Sequence, residues 1–191
     1  MAACDPNAAH LALSRWQAWG SDVRIVTQNV DGLHGRAASD AGGDAGRDRL
    51  LELHGSLFRS RCVACGARRD HRDPIDTSSA SALPRCGGPE DCRGLLRPDV
   101  VWFGESLEPE VIGTAFRWAE TADVCLVVGT SAVVQPAASL AAGTQEAGGA
   151  IVEVNPEATP LTSRAAVSIR GGAAEVVPRI VPGDQPSVTS R

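Results

Sequence analysis

The 191-residue chain contains no tyrosine, and aromatic residues make up only 4% of it. Dense stacking of rings on nucleobases is therefore not its mode of recognition. Lysine is missing as well, because all 18 cationic side chains are arginines. That rules out both a Walker-type phosphate lysine and a Schiff-base lysine. No G-x-G tripeptide occurs, so the glycine-rich phosphate turn that opens many dinucleotide folds is not found in these residues. No stretch approaches the roughly 18 uninterrupted apolar residues of a membrane span, and the first residues lack a charged region ahead of an apolar one. A soluble cytoplasmic protein with no membrane partner is expected. The net charge of -5 argues against a general polyanion binder, so nucleic acid is not an expected partner either.

With 43% hydrophobic and 21% charged residues the chain has ordinary globular composition, and its length suits one core with a small insert. Asp5 is placed to cap a helix that begins at Pro6, carries Ala9, Leu13 and Trp16 at helical spacing, and stops at Gly20. Val23 to Thr27 reads as a strand, residues 38–49 as a flexible Gly/Asp-rich excursion, and Leu50 to His54 as a short apolar segment halted by Gly55. Between Ser56 and Arg97 the composition shifts to Cys, Arg, Pro, Gly and Ser, with little apolar periodicity. Alternation then returns: a strand at Val100 to Phe103, a helix at Glu108 to Thr121, and a continuous apolar strand at Val124 to Val128 of the kind covered on both faces. A helix at Pro136 to Ala147, strands at Ile151 to Val154 and Val167 to Ile169, and a helix at Ala173 to Val181 complete the order.

Strands alternating with helices predict an α/β fold, a Rossmann-like doubly wound parallel sheet with a small inserted module. The expected division is 1–55 and 99–181 for the two parts of the sheet domain, 56–98 for the module, and 182–191 for a disordered tail. Ligands of such sheets sit outside the carboxyl ends of the strands. Gln28, Asn29 and Asp31 follow one strand, Phe103, Gly104 and Glu105 another, Gly129, Thr130 and Ser131 a third, and Asn155 a fourth, so one crevice is expected to gather them. Each also has a plainer role, since Asn and Asp form turns and Thr and Ser start helices. His54, just before Gly55, suits either a general base or a hydrogen-bonded structural histidine. Arg59, Arg61, Arg68, Arg69 and Arg72 read as a solvated basic face or a contact for an acidic partner.

The spacing Cys62-x2-Cys65-x20-Cys86-x5-Cys92 places four soft ligands in a polar, turn-rich segment. Four thiolates suit tetrahedral zinc, and a closed shell of them makes the metal structural. Two disulfides and a thioredoxin-like redox pair are the alternatives.

Taken together, T-Q-N-V-D-G-L-H at 27–34, E-L-H-G at 52–55, the four cysteines, V-V-W-F-G-E at 100–105, G-T-S at 129–131 and V-N-P at 154–156 resemble the sirtuin family. L-R-P-D-V-V-W-F-G-E is most similar to its bacterial branch related to the human mitochondrial desuccinylase. The resemblance implies an NAD-dependent protein-lysine deacylase, which passes the acyl group to ADP-ribose and releases nicotinamide. NAD is then a co-substrate, one zinc ion is structural, and acyl-lysine proteins are the partners. It also implies roles: Asn29 and Asp31 line the nicotinamide pocket, Gln28 meets the ribose hydroxyls, and His54 is the base. Gly129, Thr130 and Ser131 would approach the phosphates, and Asn155 the adenosine ribose. Val101, Trp102 and Phe103 would wall the acyl-lysine tunnel. Gly104, Glu105, Val133 and Val134 would flank a peptide bound as an added strand. The family's opening strand and its G-A-G-x-S loop are not among these residues, which makes an acyl-peptide binding module without turnover the alternative.

Overall fold

The computed structural model describes residues 4–19, 22–40 and 48–181. The expected tail and most of the Gly/Asp-rich excursion lie outside the described residues. The chain forms two units, the smaller comprising Thr27–Gly32 and Glu52–Leu107, and the larger Asp5–Val26, Leu33–Leu51 and the residues from Glu108 on.

In the larger unit the first helix is Ala8–Ala18 (α1), capped by Asn7 and not by Asp5. The Asn7 amide oxygen accepts from the N–H groups of Ala9 and His10 at 3.0 and 3.3 Å, satisfying two otherwise orphaned donors. Asp5 instead meets Arg36 at 2.9 Å. Arg36 belongs to a helix, Leu33–Asp40 (α2), where a loop running into an excursion is expected. Its Ala37 and Ala38 are buried, and the Ser14 hydroxyl donates to the Ala37 carbonyl at 3.0 Å. Small residues let α1 and α2 pack closely, a tertiary effect that a Gly/Asp-rich composition hides. Ile25–Thr27 (β1) and Leu50–Glu52 (β2) pair as a two-stranded sheet.

Within the smaller unit, Gly55–Cys62 (β3), Arg68–Asp70 (β4) and Leu96–Val100 (β5) form an antiparallel sheet in the order β4-β3-β5. No strand is expected from 56 to 97, because the residues of β3 that turn inward are Ser56, Ser60 and Cys62, small or polar side chains without an apolar signature. The strand expected over Val100 to Phe103 ends at Val100. The reason lies in Glu105, whose carboxylate accepts from the Trp102 N–H at 3.2 Å while its own N–H donates to the Trp102 carbonyl at 2.9 Å. Gly104, at φ +88°, permits that turn.

Returning to the larger unit, Pro109–Glu120 (α3), Val124–Val128 (β6), Leu140–Glu146 (α4), Ala150–Val154 (β7), Val167–Ile169 (β8) and Ala173–Ile180 (α5) follow. The helix expected from Pro136 is split into a 3-10 turn, Ala137–Ser139, and α4. Strands β6, β7 and β8 are parallel and in that order, as the alternation predicts. Val128 packs with Ala9, Ala12 and Val177 of α1 and α5, whereas Cys125 and Val127 pack with Ala141 and Leu161. Both faces of the sheet are therefore covered, the doubly wound arrangement. Among the described residues no helix is long and apolar enough to cross a membrane.

Strand pairing in the small sheet sets Arg61 opposite both Arg68 and Arg97, a like-charge arrangement that costs free energy unless neutralised. Asp99 does this. Its buried carboxylate lies 2.6 Å from Arg59 Nε, 3.0 Å from Arg68 Nε and 3.7 Å from Arg61 Nε. Three of the five arginines read as a basic face thus converge on one acid. Burial pushes the Asp99 pKa up, but the hydrogen bond and charge of Arg59, joined by Arg68, outweigh this and hold it below the ordinary carboxylate value. A lowered folded-state pKa contributes stability above the unfolded value of about 4 that is lost as pH falls through the folded one. Asp99→Asn is expected to lower stability at pH 7 by about 2 kcal/mol, given the partly exposed arginines. It should also flatten the acid limb below pH ~4, as followed by denaturant unfolding at several pH values.

Candidate active site and metal centre

His54 is held from both sides through its backbone. The Leu53 N–H donates to the Thr27 carbonyl at 2.9 Å, and the His54 carbonyl accepts from the Val101 N–H at 2.9 Å. Gly55 then turns the chain at φ +79°, and a Cβ there would lie 1.9 Å from the Asp99 carbonyl oxygen. Only glycine allows β5 to come so close. The half-buried imidazole is oriented by Gln28, whose carbonyl lies 3.0 Å from His54 Nδ1. A carbonyl can only accept, so Nδ1 is the donor in this bond, and of the two neutral tautomers the one it selects has Nε2 unprotonated. The ring is thus set in the tautomer of a base. Gln28 does this with its main chain, a contribution no reading of its side chain reveals.

Around His54 the smaller unit also holds Asn29, exposed, with its N–H donating to the Thr27 hydroxyl at 3.1 Å, and Asp31, half-buried. Glu52, two residues before His54, is a group that sequence reasoning missed. Burial raises its pKa, Arg59 counters this, and Asp31 and Asp99 add to the rise. Val101 is half-buried, whereas Trp102 and Phe103 are exposed. Arg97 stacks over the Trp102 ring at 4.9 Å and donates to Glu105 at 2.9 Å, so the Glu105 carboxylate is engaged within its own loop.

The larger unit contains a cavity of about 290 Å³ lined by Gly129, Thr130, Ser131, Asn155 and residues 156–160. It lies at the carboxyl ends of β6 and β7, where a parallel sheet binds ligands. The Gly129 N–H donates to the Val154 carbonyl at 2.9 Å, and the Asn155 amide donates to the Thr130 carbonyl at 2.7 Å, tying the two strand ends together. Ala132, at φ +55°, sits in the left-handed region beside Ser131, a conformation L residues seldom adopt away from functional loops. The sequence-predicted Gly129, Thr130, Ser131 and Asn155 are brought together. Val133 and Val134 are exposed on the following loop.

The four cysteine sulfurs of the smaller unit lie within 4.8 Å of one another, none of them in a disulfide. Four thiolates at about 2.3 Å from a tetrahedral zinc stand about 3.8 Å apart. The observed Cys62–Cys92 and Cys65–Cys86 separations are both 3.7 Å. The donor set therefore fits zinc, and fits it as a closed structural site. The N–H groups of Cys65 and Ala64 point at Cys62 Sγ and lower its pKa, whereas the neighbouring sulfurs raise those of Cys86 and Cys92, so without a cation one negative charge is favoured among the four and a metal is what lets the others ionise. Space is as restricted as charge: a Cβ on Gly94 would come within 2.7 Å of Cys62 Sγ. Sequence reasoning found the cysteines but missed Gly94, whose role depends on a neighbour 32 positions away. Cys62→Ser is expected to abolish bound zinc and then solubility, and Gly94→Ala to lower zinc content without removing a ligand. Metal analysis of the purified proteins checks both.

A profile of the Sir2 family matches residues 1–136. The chain is 44% identical over 178 residues to an NAD-dependent protein deacylase of Pyrococcus furiosus, covering 92% of this chain and 67% of the relative. It is likewise 44% identical to an NAD-dependent protein deacylase of Mycolicibacterium paratuberculosis, covering 92% and 70%. Among solved structures it superposes on a Sir2 homolog–NAD complex with a TM-score of 0.83 at 44% identity, covering 94% of this chain and 65% of that one. For Sir2 bound to an acetylated peptide the TM-score is 0.79 at 33% identity, with 92% and 69% covered. The chain thus spans about two thirds of the length of these proteins. Family profile, identity and superposition agree with the motifs, the parallel sheet and the four-sulfur cluster: this chain belongs to the Sir2 family.

Proposed function

We propose that the protein removes acyl groups from lysine side chains of other proteins with consumption of NAD, transferring the acyl group to ADP-ribose and releasing nicotinamide. The observation that carries this reading is the 3.0 Å contact of His54 Nδ1 with the Gln28 carbonyl, which makes Nδ1 the donor and leaves Nε2 as the nitrogen that can act as a base. His54 Nε2 takes the proton of a ribose hydroxyl and holds it while that oxygen attacks the acyl carbon. NAD, when bound, would supply a ribose C1′ whose bond to nicotinamide breaks as the substrate's amide oxygen bonds to it, and once the ribose hydroxyl oxygen has added to the acyl carbon, the C–N bond to lysine breaks with uptake of one water, leaving the free amine and acyl-ADP-ribose.

Gly129, Thr130, Ser131 and Asn155 bind the nucleotide end, a role supported by their common cavity at two strand ends. Gln28, Asn29 and Asp31 serve the nicotinamide ribose. Val101, Trp102 and Phe103 shield the acyl chain from water, and Gly104, Glu105, Val133 and Val134 flank the peptide. Exposed apolar side chains on Trp102 and Phe103 in the smaller unit, and separately on Val133 and Val134 in the larger, support a protein substrate. Added-strand binding through main-chain hydrogen bonds makes selectivity for peptide sequence loose. Zinc contributes through Cys62, Cys65, Cys86 and Cys92, which hold residues 56–98 as a metal-stabilised module. The reading places the protein in the cytoplasm, supported by six cysteines without a disulfide.

Mass spectrometry of an acetyl- or succinyl-lysine peptide incubated with the protein and NAD tests this function. The expected products are the free-lysine peptide and acyl-ADP-ribose. His54→Ala should lower the rate by at least about 100-fold with zinc content unchanged. Wild-type turnover in that variant would reject His54 as the base.

A further inference from the structure

One strongly polar group in the larger unit has no part in the chemistry above. Glu153, the last residue but one of β7, is only 1% exposed in a strand whose Ile151 and Val154 are also buried. A buried carboxylate only accepts hydrogen bonds and must be satisfied by donors. Here two donors come from the segment after the strand and two from β8 and the residue just past it. The Thr159 hydroxyl donates to Glu153 Oε1, and the Thr162 and Ser168 hydroxyls donate to Oε2 at 2.7 and 2.6 Å, with Arg170 at 3.4 Å.

The same groups close the loop on itself. The Thr159 hydroxyl accepts from the Leu161 N–H at 3.1 Å, and the Thr162 hydroxyl accepts from the Thr159 N–H at 2.9 Å and from Arg170 at 3.1 Å. Arg170 also donates to the Glu157 carbonyl at 2.5 Å. Residues 156–160 wall the cavity that holds Asn155, and Thr159 belongs both to that wall and to the Glu153 network. Nothing else in β7 requires a charge, since apolar residues would pack there at no desolvation cost.

We propose that Glu153 is a positioning residue for nucleotide binding: its buried carboxylate holds the 156–162 loop in the shape that receives the adenosine end of the dinucleotide. This rests on the reading of Gly129, Thr130, Ser131 and Asn155 as cofactor-binding residues. Glu153 touches no ligand and acts through Thr159. Preorganisation of this kind spares the ligand the cost of ordering the loop.

Calorimetric titration with ADP-ribose, combined with hydrogen exchange resolved by segment, tests it. Glu153→Gln keeps the shape but replaces one acceptor oxygen with a donor, and is expected to weaken ADP-ribose about tenfold. Exchange should rise in residues 157–163 and not in α1 or α5. Thr159→Val, which leaves Glu153 three other donors and is the milder change should the first variant fail to fold, is expected to weaken binding in the same direction. Thr159→Ser, which retains the hydroxyl, should restore wild-type affinity. Binding by the wild type with unchanged affinity in the Glu153 and Thr159→Val variants would overturn the role of Glu153 alone. So would weaker binding with exchange raised uniformly across the chain, since Glu153 would then serve stability only. No binding of ADP-ribose to the wild type would overturn the reading of the cavity itself.

Discussion

The arrangement in the smaller unit depends on how closely β5 approaches β3 at Gly55. The carbonyl oxygen of Asp99 occupies the place a side chain would take at that glycine. Two residues on from Asp99, the Val101 N–H reaches the His54 carbonyl. The side chain of Asp99 meanwhile collects three guanidinium groups, two from β3 and one from β4. Asp99 therefore braces the small sheet by the charge of its side chain, while its backbone lies against Gly55 beside the histidine. A sheet with so little apolar burial needs this polar bracing, because Ser56 and Ser60 bury almost nothing that water would release.

The metal cluster answers the same deficit at the other end of β3. Cys62 closes that strand, and its sulfur is paired with Cys92 while Cys65 is paired with Cys86. Binding of zinc there becomes folding free energy for a module that lacks a core of its own. In the larger unit the usual balance holds: apolar side chains on both faces of β6 and β7 supply the stability, and polar groups are concentrated at the strand ends. Glu153 is a buried charge inside that core, and its partners run to the wall of the cavity.

Sequence legibility followed the range of the interactions involved. The parallel strands β6, β7 and β8, with α4 between the first two, were readable because local apolar runs and glycine stops express them directly. Helix α2 was not, since it is stabilised by Ala37 and Ala38 packing on α1, and alanines in a Gly/Asp-rich stretch carry no periodic signal. The β3–β5 sheet was hidden for a related reason, its inward positions being serine and cysteine. At the start of α1 the cap falls on Asn7 and not on the expected Asp5, whose carboxylate meets Arg36 of α2.

By itself the sequence determined the ligand set of the metal centre, the family, and the strand tips that carry Gly129, Thr130, Ser131 and Asn155, because these are matters of residue identity and short spacing. Only the tertiary structure decided which nitrogen of His54 holds the proton, why Gly55 and Gly94 must be glycine, and where the charges of Asp99 and Glu153 go. Each of those depends on atoms brought within about 3 Å by residues far apart in the chain, and hydrogen bonds and steric exclusion act only at that range.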